Sequence, residues 1–287
     1  MHTTSWIVVC TLLEKCSPDK KKLLLQYLPC EEQARIKEIT PATDDPFATP
    51  LSIKQRINKI HYSWLIAFLE PFTEKDQTLI LSALDTMQAQ KLQRHFHLQQ
   101  TLLPISAHAK NYLLHTIFHW LISEQKEFLP IEFLPYHPLN VLLTLTKSHL
   151  QTLANYLGLH DLAIEIQFII KARQIHKIQK ALSKPQREYL RTLLKKKEPI
   201  SFTHLNLKSW SGNATVLKSI LHHRGFNRLA KALFGCHPSL LWHLCHTLDT
   251  GRSKIVRRFL IDINNERIQE ILTNQVLELV SIVCNEK

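Results

Sequence analysis

Glycine is what this sequence most conspicuously lacks: five residues in a chain of 287. An average chain of that length carries about twenty. Sheets need tight Gly-bearing turns that helices can do without, so the scarcity argues against a strand-rich fold and predicts an all-α protein. With glycine only at 158, 212, 225, 235 and 251, neither GxGxxG nor GxxxxGK can be written, which excludes the nucleotide folds that cradle phosphates on those loops. No GxSxG or HExxH occurs. "DINNERIQEILT" (262–273) opens like a calcium loop but lacks its sixth-position Gly and twelfth-position Glu, so it reads as a helix start. The expectation is a protein that is not an enzyme and carries no cofactor.

Long apolar runs are missing too. No stretch reaches the ~18 uninterrupted apolar residues of a membrane span. The opening "MHTTSWIVVCTLLEKC" has no Lys or Arg ahead of its apolar run and no small-residue cleavage site after it. Six cysteines lie scattered without a CxxC pair, as reduced core residues of a cytoplasmic protein would. The chain therefore reads as cytoplasmic. What it has instead is 45% apolar and 21% charged residues, the balance of a globular chain. Its net charge of +12 attracts acidic partners, with nucleic acid, anionic lipid and acidic proteins all qualifying.

A pattern recurs at an offset of 56: "LLEKCSPDKKKLLLQYLPCEEQARI" (12–36) aligns without a gap on "FLEPFTEKDQTLILSALDTMQAQKL" (68–92). Ser17 and Thr73 stand where an N-cap hydroxyl would accept free helix amides, and Pro18 suits the first helical turn. Leu23, Leu24, Leu25 and Leu28 match Leu79, Ile80, Leu81 and Leu84 as a helical stripe. Because the second copy replaces Lys20, Lys21 and Lys22 with Asp76, Gln77 and Thr78, the lysine run reads as a solvated face. A weaker copy spans 141–166, capped by Thr146 with Leu153, Tyr156 and Leu157 on its stripe. A fourth lies at 181–194, where Ser183, Pro185 and Gln186 form a capping box. Such units bury their apolar faces by stacking.

The division expected is a helical-repeat domain over 1–197, with loops near 40–50 and 128–138, a linker at 198–213, and a smaller helical domain over 214–287. Helices are predicted there at about 214–234, 238–248, 254–262 and 265–284, with Ser253 as a cap and Gly235 and Gly251 as stops. His115 and His119 have i, i+4 spacing but no third ligand on their helix. The cluster Cys236, His237, His243, Cys245 and His246 is richer, yet thiols nine apart are not a standard zinc pattern. Packing is the reading for both, with zinc left open at the cluster. Lys254, Arg257 and Arg258 share one helix face and, with Lys195, Lys196 and Lys197, form a candidate surface for an anionic partner.

The repeated "LLLQYLPCEEQARI" and "LILSALDTMQAQKL" resemble the Leu-rich helical units of the flagellar switch protein FliG. Together with "IHYSWLIAFLEPF" and "CHPSLLWHLCHTLDTGRSKIV", they resemble the SctK kind of accessory protein in the sorting platform of a type III secretion apparatus, in chlamydia-like bacteria. The resemblance implies a FliG/ARM-like right-handed helical array. It further implies a non-catalytic scaffold or adaptor for other secretion-apparatus proteins, cytoplasmic and in peripheral contact with the inner-membrane base, with no specific nucleic acid. The sequence lacks FliG's EHPQ motif and Gly-Gly hinge, so a rotor role is not implied. The alternatives left open are a nucleic-acid-binding helical repeat using the basic C-terminal face, and an enzyme or zinc protein of unrecognised type.

Overall fold

Every regular element among the described residues is helical, as the glycine count predicts. The computed structural model describes residues 3–39, 51–169, 172–196, 198–200, 205, 207 and 210–285. Its contacts gather the chain into two units, Met1–Thr144 with Cys236–Thr250, and Leu145–Gly235 with Gly251–Lys287. The first unit runs through α1 (Thr3–Glu14), α2 (Pro18–Gln26), α3 (Cys30–Glu38), α4 (Ile53–Lys59), α5 (Ile66–Leu69), α6 (Glu74–Leu81), α7 (Thr86–Phe96) and α8 (Ala107–Ile122). The second holds α9 (Lys147–Gln167), α10 (Ala172–Ala181), α11 (Lys184–Lys195) and α12 (Ala214–Ala232). The chain then returns to the first unit with α13 (Pro238–Thr247) and finishes the second with α14 (Thr250–Phe259) and α15 (Glu266–Asn285).

This grouping differs from the 1–197 and 214–287 division, and the physical reasons are specific. The described residues of the expected linker are packed: Ile200, Leu205 and Leu207 are buried, and the Glu165 carboxylate accepts the Leu205 and Leu207 amides at 3.0 and 3.3 Å. Nor is 214–287 one domain, because α13 supplies Trp242 to the first unit's core. The expected loop at 40–50 lies outside the described residues, whereas 128–138 holds a short 3-10 turn and no α-helix.

Local chemistry is read more faithfully. Thr73 accepts the Asp76 amide, Thr146 accepts that of His149, and Ser183 and Gln186 close the capping box. Ser17 precedes α2 but makes no side-chain cap bond. Ser253 is no cap either: α14 starts at Thr250, which leaves Ser253 buried within the helix and Gly251 inside it rather than at an end. The two aligned copies also part company. Ile80, Leu81 and Leu84 enter a core with Ile57, Leu92, Leu114 and Ile117, while α2 buries none of its residues and exposes Leu23 and Leu24. A stripe becomes core where α4, α7 and α8 enclose it, and surface where they do not.

In the second unit, α9 and α12 lie parallel, in a register with a constant sequence separation of 67. Asn155 meets His222 at 2.8 Å and Asp161 meets Arg228 at 2.8 Å, both pairs 67 apart. Between them, at the same separation, Gly158 and Gly225 mark the closest approach. A Cβ on Gly158 would sit 2.1 Å from the Leu221 carbonyl oxygen, and one on Gly225 only 1.6 Å from that of Ala154. The register exposes a repeat within the sequence. Leu150, Gly158, Leu162 and Ala163 match Leu217, Gly225, Leu229 and Ala230. At one residue less, the buried Leu182 and Leu190 match Leu248 and Val256, also buried. Helices α9–α11 and α12–α14 are thus one three-helix pattern used twice, with α10 kept by the second unit and its counterpart α13 given to the first.

Candidate interaction faces

The chain's positive charge is not shared between the units. The first carries 14 Lys and Arg against 15 Asp and Glu; the second carries 22 against nine, so a total of +12 resolves into −1 and +13. Inside the second unit, Asp161, Glu165 and Glu198 turn inward, which leaves its surface still more basic. Such a surface attracts anions and speeds their encounter.

Among the residues expected to bind a partner, Lys254, Arg257 and Arg258 are exposed on α14, over the buried Ser253 and Val256. The Arg258 guanidinium stands 6.0 Å from the half-buried Phe259 ring, and His223 meets that ring edge-on at 5.0 Å. The face thus joins arginine to an aromatic, the pairing enriched in protein interfaces. Lys195 and Lys196 are exposed at the end of α11, and Lys197 lies outside the described residues. The lysine run is the end of a longer basic stripe. Lys184, Arg187, Arg191 and Lys195 are all exposed at i, i+3, i+7 and i+11. Arg173, Lys177 and Lys180 form a similar exposed stripe on α10. Helical periodicity was the signal for both.

The second unit's richest polar constellation is internal. Arg228, 0% exposed, donates from Nε and Nη2 to Asp161 Oδ1 at 2.8 and 2.6 Å. Its Nη1 reaches Gln275 Oε1 at 3.0 Å and Glu198 Oε1 at 3.2 Å, and Nη2 also donates to the Ile200 carbonyl. Glu198 Oε2 lies 2.6 Å from His160 Nδ1, whose Nε2 stands 3.0 Å from the Tyr189 hydroxyl. Burial by itself raises the Glu198 carboxyl, but the His160 hydrogen bond and charge, Arg228 and Gln275 outweigh it and hold the group down at about 2. Burial, followed by the charges of Glu278 and Glu198, pushes the Tyr189 hydroxyl upward. A His–Glu–Tyr set can move protons, yet here the His160 and Glu198 side chains are 4% and 5% exposed. These groups tie α9, α11, α12 and α15 together, with the half-buried Tyr189 as the outermost member of the set.

The histidine and cysteine cluster is spent on docking α13. His237 accepts the Ser239 amide as a helix cap. Burial pushes His243 down to about 3, and its Nε2 pairs with the Leu129 carbonyl at 3.0 Å. The His246 ring lies between Trp64 and Trp242, with centroids 4.1 and 3.9 Å away. Cys245 is buried, and Cys236 Sγ sits 3.6 Å from His137, with burial raising its thiol to about 12. His115 and His119 face solvent on α8. Among the described residues, no three His, Cys, Asp or Glu side chains converge as a metal set would. Among the described residues, too, no helix is long and apolar enough to cross a membrane.

Compared with protein-family models, with curated proteins and with solved structures, the chain matches none.

Proposed function

We propose that this protein is a non-catalytic helical adaptor whose second unit docks an acidic protein through the exposed α14 face of Lys254, Arg257 and Arg258. The observation that carries this reading is the charge segregation, +13 in one unit against −1 in the other. The all-α fold is compatible with the resemblance to FliG and SctK proteins, and a type III secretion sorting platform is the setting that resemblance supplies. Its other cytoplasmic components are then the partners. The non-catalytic part of the reading draws on the burial of the His160–Glu198–Arg228 set.

The triple reversal Lys254→Glu/Arg257→Glu/Arg258→Glu should leave stability within about 0.5 kcal/mol, as exposed substitutions usually do. It should also abolish capture of the native partner, most clearly at low salt. Thermal melting and affinity capture with the full chain measure both. Equal capture by variant and wild type would refute the α14 assignment. Tight, sequence-selective DNA or RNA binding at about 0.15 M salt would favour a nucleic-acid reading instead, because phosphate contacts lose affinity steeply as salt rises.

A further inference from the structure

The basic stripes of α10 and α11 differ in chemistry from the α14 face. Residues 172–196 hold five Lys and three Arg against a single acid, Glu188. Arg173, Lys177 and Lys180 on α10, and Lys184, Arg187 and Arg191 on α11, are all exposed. None of these six side chains has a hydrogen-bond or ion-pair partner among the described residues. Both helices spend their apolar sides internally, through Ile178 on α10 and Leu190 and Leu193 on α11. The cations are therefore what these helices offer to solvent.

We propose that the α10–α11 face adsorbs to the anionic headgroups of a lipid bilayer, without inserting. Charge complementarity selects an anionic occupant, and three features select a bilayer. First, half of its six cations are lysine, which protein interfaces disfavour, and it exposes no Phe, Tyr or Trp ring to anchor a partner. Second, the exposed positions that flank the α11 cations hold Glu188 and Leu194, neither of which reads base edges, and the exposed rings and amides of the two helices are confined to His176 and Gln179 on α10. Third, Leu194, 37% exposed beside Arg187 and Arg191, is the one large apolar side chain these helices expose among the described residues, too little for insertion but compatible with a surface lying on the headgroups. Clusters of four to eight Lys or Arg on an amphipathic helix suffice for such adsorption, each contributing independently. Insertion is excluded because the apolar sides already serve the core.

The test is co-sedimentation of the full chain with vesicles of phosphatidylcholine alone and of phosphatidylcholine mixed with phosphatidylglycerol. Wild type should bind only the anionic vesicles, and more weakly as salt rises. Lys184→Glu/Arg187→Glu/Arg191→Glu should lose vesicle affinity by about 100-fold or more while melting as wild type does. Should that variant misfold, Lys184→Gln/Arg187→Gln/Arg191→Gln keeps the polar surface and should still lose affinity clearly. The α14 triple reversal should lose less than about tenfold, since only long-range charge is changed. Because that reversal reports on partner capture and the α11 reversal on vesicles, failure of one assignment is distinguishable from failure of the other. Equal losses in the two variants would reduce the effect to net charge and overturn the proposal. So would binding to neutral vesicles, or duplex DNA or RNA bound more tightly than anionic vesicles at about 0.15 M salt.

Discussion

Replacing Gly225 with Ala should destabilise the second unit by about 2 kcal/mol or more, although Ala is the better helix former by about 1 kcal/mol. The new Cβ would stand 1.6 Å from the Ala154 carbonyl oxygen, where ordinary contact begins near 3.4 Å. A backbone oxygen inside α9 cannot rotate away as a side chain could, so the helices must separate by about 2 Å, at the upper end of the overpacking range or beyond it. That separation also stretches the Asn155–His222 and Asp161–Arg228 contacts that flank the glycine pair. Gly158→Ala should act in the same direction through the Leu221 carbonyl. Gly235→Ala is the control. Its Cβ would meet nothing within 4 Å, and only its φ of +78° opposes a side chain, at about 1–2 kcal/mol. Urea unfolding of the three variants measures the contrast. A Gly225→Ala protein as stable as wild type would mean that α9 and α12 do not meet at these glycines.

Arg228→Met should cost about 3–5 kcal/mol, the usual penalty for leaving buried charges without their partner. Asp161 and Glu198 would both lose the guanidinium, with side chains only 4% and 5% exposed. The pair itself adds little over apolar packing of the same shape. Arg228→Met/Asp161→Leu/Glu198→Leu should therefore recover much of the loss, in clear departure from additivity. A triple variant no more stable than Arg228→Met would show instead that the network contributes net stability. Acid should act on the same groups. Glu198 is held at about 2 against an ordinary 4.5. A depressed carboxyl stabilises fully above its unfolded value and loses that stability as pH falls toward its folded one. Stability should thus decline between about pH 4.5 and pH 2, and Glu198→Gln should flatten that part of the profile.

The legible parts of this fold are those that local chemistry decides. Too few glycines for hairpins, and hydroxyl residues at 73, 146 and 183 ahead of apolar stripes, are read from a few neighbouring residues, and the caps form there. Ser253 shows the limit, since a serine inside a longer helix carries the same local signal as one at its start. The destination of α13 was illegible for another reason. Trp242, Leu244 and Cys245 announce burial but not which core receives them, and α2 carries the same leucine stripe as α6, yet its Leu23 and Leu24 stay exposed among the described residues. The buried network joins residues 160, 161, 189, 198, 228 and 275, which only the parallel register of α9 with α12 and the packing of α11 and α15 bring together. The α10–α11 stripe is different. Its period of 3.6 is plain in the sequence, but the compact runs at 195–197 and 254–258 are easier to see.

The most direct test of the adaptor reading is a charge swap across the proposed interface. With the partner identified by cross-linking to the full chain, the acidic residues that cross-link to α14 would be changed to Lys and assayed against both wild type and Lys254→Glu/Arg257→Glu/Arg258→Glu. The account predicts that each single-sided change weakens binding and that the two changes together restore it, because opposite charges again face each other across the interface. Undiminished binding of the unmodified partner to the α14 variant, or no recovery when both sides are reversed, would contradict it.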